Sequence, residues 1–154
     1  MAELARYVQE AARNGLAAHQ VEEGLFRRLL SLGHALFSQF LALQGSGDIG
    51  PELALPGEQV LQREPERVDR EYATIFGDYV ISRTVYSTGP QQKREAPLDA
   101  RLQLPDSKFS YLVQSWTQLL AAEQPYQQVS RIFDTIFQRG SNAKRTTYIP
   151  IATP

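Results

Sequence analysis

The sequence predicts an α+β protein: a long N-terminal helix, a central β-hairpin with an extended third segment, and two C-terminal helices. Three observations carry that reading. Apolar residues recur every three or four positions from Val21 to Leu43, the period of one helical face. Tyr72, Thr74 and Phe76 alternate with Ala73 and Ile75, and the stretch Tyr79–Tyr86 is rich in β-branched and aromatic residues, as strands are. Helical spacing then resumes after Pro105.

Residues 3–13 read as a short helix broken near Asn14-Gly15, a pair that favours turns. The main early helix follows from Ala18 to Leu43. Val21, Leu25, Leu29, Leu32, Leu36, Phe40 and Leu43 are spaced by 4, 4, 3, 4, 4 and 3 residues, close to a coiled-coil seam. A flanking row of Phe26, Leu30, Phe37 and Leu41 widens the stripe, so the helix needs packing on two sides. Either the rest of the chain covers it or another subunit does. The seven seam residues are the candidate oligomerisation contacts, and residues 1–50 form a helical unit.

Glycines with Pro51 and Pro56 end this helix, and 51–70 reads as a Gly/Pro-containing linker. Pro56 and Pro65 leave room for no more than a weak helical turn over Gln59–Val68. The hairpin module spans 71–105, with a tight turn expected at Gly77-Asp78. A polar turn, Thr88–Glu95, leads into an extended segment from Arg94 to Leu104, which Pro97 confines to a sheet edge.

Residues 106–138 read as a helical pair. Asp106 or Ser107 caps the first helix, whose face of Phe109, Leu112, Val113, Trp116, Leu119 and Leu120 places Trp116 in the core. It ends near Gln124, because the residue before Pro125 is pushed out of the α region. The second helix runs from Pro125 to Gln138, and Gly140 stops it. The pair resembles the start of a helix-turn-helix, in which a third helix enters the major groove. Here the chain continues as a tail without helical period, so 139–154 reads as basic and disordered.

A chain of 154 residues supports one sizeable core or two small modules sharing one. It contains no cysteine, which excludes disulfides and every cysteine-based zinc site. No run approaches the ~20 apolar residues of a membrane span, and the start has no continuous apolar core. A cytoplasmic address with no membrane partner is expected. The net charge is −1, divided as −3 over residues 1–70 and +2 over 71–154. A dedicated DNA-binding domain usually has a clearer basic footprint.

Little in the chain resembles a reactive centre. Gly45-Ser46-Gly47-Asp48-Ile49-Gly50 matches a G-x-G-x-x-G string, but a helix precedes it and Pro51 follows, whereas dinucleotide binding needs a strand before and a helix after. The string reads as a helix stop. His19 and His34 lack other ligands at metal spacing and read as ordinary helix residues. Asp78, Asp99, Asp106 and Asp134 fall in turn, loop, cap and helix positions. No catalytic residue, metal ligand or cofactor is therefore expected. Arg83, Lys93, Arg94, Arg139, Lys144 and Arg145 are the candidate phosphate contacts, against the plainer reading of a solvated turn and a frayed terminus.

One set of residues has a family pattern. Tyr72, Thr74, Phe76-Gly77, Ile81, Arg83 and Tyr86 are followed by Pro97-Leu98-Asp99, Leu102, Leu104-Pro105, Ser110-Tyr111, Trp116, Glu123 and Pro125-Tyr126. Their order and spacing, with the helix ending in Gln44–Gly50, resemble the N-terminal part of bacterial insertion-sequence transposases of the ISKra family. The resemblance covers roughly residues 10–138. It implies a DNA-binding and assembly region whose acidic catalytic domain would lie downstream, beyond the end of this chain. The implied partners are DNA at the element's ends, a second copy and a full-length transposase. A working fragment and an inert remnant fit equally well. The alternative from another class is a small helical self-associating or partner-binding protein with no DNA role.

Overall fold

The computed structural model describes residues 2–57, 59–89, 94–121, 128, 131–132, 135–136 and 146–149. Helix α1 (Ala2–Arg13) and helix α2 (Ala18–Leu43) form where the periodicity places them. At the start of α2, the Ala17 N–H donates to the Gln20 side chain at 3.1 Å, replacing one bond that the first turn lacks. Gly45, at φ 67°, ends the helix in the left-handed conformation that glycine adopts without strain.

The segment read as a linker is instead structured. Strands β1 (Glu52–Ala54) and β2 (Val60–Arg63) pair antiparallel, and Leu61 is fully buried. Pro56 lies in the turn between them, so it costs no ladder bond. The short strands β5 (Tyr86–Ser87) and β6 (Arg94–Glu95) complete a sheet of order β1-β2-β5-β6.

The hairpin pairs β3 (Val68–Thr74) with β4 (Gly77–Arg83). Its turn is Ile75-Phe76 rather than Gly77-Asp78. Thr74 closes this turn with its hydroxyl, which accepts from the Phe76 N–H and donates to the Gly77 carbonyl, both at 3.1 Å. Tyr72 consequently faces Tyr79. A third strand, β7 (Thr146–Tyr148), pairs parallel to β4, so part of the tail expected to be disordered belongs to a sheet. Ile149 just after it is buried.

The expected extended segment Arg94–Leu104 is mostly a helix, α3 (Pro97–Leu102). Pro97 suits the first helical turn, where its missing N–H costs nothing. Helix α4 (Tyr111–Ala121) is capped by Ser110, whose hydroxyl accepts from the Val113 N–H at 3.3 Å, and not by Asp106 or Ser107. Trp116 is 38% exposed, so it lies at the surface edge rather than in the core. Of the expected Pro125–Gln138 helix, Gln128, Arg131, Ile132, Thr135 and Ile136 are helical; the rest lies outside the described residues.

The main core joins α2 to the β3-β4-β7 sheet and α3 through Leu41, Tyr72, Tyr79, Ile81, Leu98 and Ile149. Phe37 packs against this cluster, its ring 5.3 Å from that of Tyr79. At Gly47 a Cβ would lie 2.9 Å from the backbone nitrogen of Leu98, so no larger residue fits there.

Candidate functional site

The two apolar rows of α2 have different fates. Leu30, His34, Phe37 and Leu41 lie on the side that meets the sheet, with Leu41 3% exposed. The seam predicted for oligomerisation is turned roughly 130° away, at 100° per helical residue. There Leu29 is 53% exposed, Leu36 57% and Leu43 77%. Phe26, Leu32 and Phe40 are exposed beside them, while Val21 and Leu25 are half-buried. Among the described residues this face stays open to solvent from Leu29 to Leu43 and so presents an apolar strip.

The inward side is fixed by a histidine that spacing did not single out. The His34 Nδ1 lies 3.0 Å from the Phe76 carbonyl and Nε2 lies 2.7 Å from the Thr147 hydroxyl. A carbonyl only accepts, so Nδ1 carries a proton. In the neutral ring, Nε2 then accepts from Thr147. The ring also stacks on Tyr79, with centroids 4.8 Å apart. One side chain thus joins α2, the hairpin turn and β7. Burial pushes the Tyr79 phenol up to about 12.

A second cluster lies across the hairpin. Arg70 on β3 and Arg83 on β4 both bind the same carboxylate oxygen of Asp99 on α3, and Arg70 also donates to the Pro105 carbonyl. All three side chains are under 20% exposed. Burial lowers the Arg83 pKa, Asp99 opposes that shift and Arg70 adds to it. The cluster forms the floor of a cleft of about 440 Å³, whose walls include Arg94, Glu95 and Asp106. Three arginines thus face three carboxylates, so the cleft has no strong bias toward an anion or a cation.

The G-x-G-x-x-G segment is a structural junction. Asp48 accepts from the Gly50 N–H at 2.9 Å and pairs with Arg63 at 2.7 Å. The Gly50 hydrogen bond first, and then Arg63, holds its carboxyl below the usual range. The Tyr86 hydroxyl donates to the Gly50 carbonyl at 2.8 Å and accepts from the Ile49 N–H at 2.9 Å. These bonds tie the end of α2 to β2 and β5 and occupy the Ile49 and Gly50 N–H groups.

Of the candidate phosphate contacts, Arg83 and Arg94 line the same cleft, each with an acidic partner. Arg83 is held in the Asp99 cluster and is not a free cation. Arg94 is 57% exposed and pairs with Glu64 at 3.0 Å. Lys93, Arg139, Lys144 and Arg145 lie outside the described residues. Among the described residues, no group of three His, Asp or Glu side chains could hold a metal, and no helix is long and apolar enough to cross a membrane. No family model, curated protein or solved structure matches the chain.

Sequence reasoning missed the sheet-facing histidine and the arginine cluster for one reason: both depend on strand register. Arg70 and Arg83 become diagonal neighbours only when Arg70 pairs with Ile81, as it does here. The available signal was that Arg70 and Arg83 continue, at a spacing of two, the face of Tyr72, Tyr79 and Ile81.

Proposed function

We propose that this chain is a non-catalytic assembly module that joins another protein chain through the outward row of α2. The exposure of Leu29, Leu32, Leu36, Phe40 and Leu43 in one strip carries the reading. Contiguous apolar patches of this kind usually mark contact sites. Two sequence-level expectations converge on it: the assembly region implied by the ISKra resemblance, and the self-associating helical protein offered as its alternative. DNA contact at an element's ends has less geometric support, because Arg83 and Arg94 already have acidic partners.

Light scattering across a concentration series tests the proposal. The chain is expected to form a dimer or higher oligomer in the micromolar range. The double variant Leu29→Asp/Leu36→Asp should be monomeric with its circular dichroism intact. A wild-type chain that stays monomeric at high micromolar concentration would overturn the reading.

A further inference from the structure

We infer that the occupant of this face is a second copy of the chain, docked antiparallel about a two-fold axis beside Leu32. The inference rests on the assembly reading above and gives it a partner and a register.

The spacing 4, 4, 3, 4, 4, 3 is an eleven-residue repeat, or about 3.67 residues per turn. That is close to the 3.6 of a straight helix, so the row stays on one side along all 26 residues of α2, a length of about 39 Å. The row is also nearly the same read backwards. Running two copies in opposite directions sets Val21 against Leu43, Leu25 against Phe40, Leu29 against Leu36, and Leu32 beside its own symmetry mate. The N-terminal end of the row, beside which α1 packs through Tyr7, thereby meets Leu43 of the other copy, 77% exposed. Such self-complementarity is what a two-fold interface requires.

Charge and shape agree with this direction. All the charged residues of α2 (Glu22, Glu23, Arg27 and Arg28) lie in its N-terminal half. Glu23 and Arg27 pair with each other on the opposite face. Glu22 and Arg28, which flank the row, would lie alongside their own copies in a parallel pair, whereas an antiparallel pair lays them along an uncharged C-terminal half and opposes the helix dipoles. The sheet packs on α2 around His34, Phe37 and Leu41, so the two-fold puts the sheet bodies at opposite ends of the helix pair. The five exposed side chains of the row, about half exposed and offering ~200 Å² each, supply on the order of 500 Å² per copy. With the flanking polar residues this approaches the ~800 Å² that a standard interface takes from each partner.

The absence of cysteine makes introduced thiols unique reporters. Val21→Cys and Leu43→Cys are prepared separately, mixed and oxidised, with Leu32→Cys alone as a second reporter. The expected products are a mixed Val21→Cys/Leu43→Cys disulfide, little cross-linking of either variant alone, and efficient cross-linking of Leu32→Cys. Cross-linking of Val21→Cys to itself, in a chain that light scattering shows to be dimeric, overturns the antiparallel register and leaves the assembly reading standing. A monomer that cross-links nowhere overturns both.

Discussion

The two rows of α2 are made of the same residue types and face different worlds. Phe37 and Leu41 meet the sheet, while Leu29, Leu36 and Leu43 meet solvent. Composition does not separate them, and by spacing alone the outward row is the more regular. What separates them is partners elsewhere in the chain: Phe76, Tyr79 and Thr147 reach the side on which His34 sits. A polar residue inside an apolar row was therefore the better marker of the buried side.

Truncation breaks the comparison most directly. Phe37→Ala removes a ring that packs against Tyr72, Phe76 and Tyr79 and should cost about 3–5 kcal/mol. Leu36→Ala, one position earlier, should change the stability of the monomer by less than about 0.5 kcal/mol. Urea titrations at protein concentrations low enough to keep the chain monomeric measure both. Equal losses would mean that the rows are equally buried.

The helices, the hairpin and their order were legible because their periods are local properties of the sequence. The errors arose where the answer depended on distant partners. A turn at Gly77-Asp78 would have set Phe76 against Tyr79; the turn at Ile75-Phe76 sets Tyr72 there instead. That shift is even, so side chains keep their faces while every cross-strand partner changes. Strands β1 and β2 were missed because prolines nearby suggested a linker, although Pro56 and Pro65 both fall outside the strands. Pro97 gave the opposite error, since the same fixed φ suits an edge strand and the first turn of a helix. Nothing local identified Asp99 as the carboxylate shared by two arginines 13 residues apart in sequence.

Removing that carboxylate tests the far end of the sheet face that carries Tyr72 and Tyr79. Asp99→Asn should leave two largely buried guanidinium groups without a counter-charge, at a cost of about 3 kcal/mol, as for other broken buried pairs. Thermal unfolding measures the loss, and a change under about 0.5 kcal/mol, the size of an ordinary surface substitution, would show that the cluster is solvated.

Alkali tests the inward row through its phenols. Tyr79 is raised to about 12 from an ordinary 10.0 by burial, and Tyr72 is raised by the same cause. A folded state that holds a proton more tightly than the unfolded one is fully stabilised below the unfolded value and loses that stability as pH rises through the folded one. Stability should therefore be flat to about pH 10 and then fall by up to ~1.4 kcal/mol per pH unit for Tyr79. Tyr79→Phe should flatten the fall; an unchanged profile in that variant would assign the loss to other groups.

The smallest effect separates the two arginines first grouped as phosphate contacts. Arg94 is exposed, and its pair with Glu64 is of the kind worth ~0–1 kcal/mol, so Arg94→Ala should leave unfolding within about 0.5 kcal/mol of wild type. Arg83→Ala should instead destabilise the fold, because Asp99 and Arg70 then lose a buried neighbour. Arg94 is thus a probe of DNA contact that does not also report folding. If the chain binds duplex DNA, loss of one phosphate contact should weaken binding equally on every sequence and reduce the salt slope by about 1. Fluorescence anisotropy with two unrelated duplexes at two salt concentrations reads both quantities. An Arg94→Ala chain with unaltered affinity and slope would remove the last described candidate from the proposed phosphate contacts.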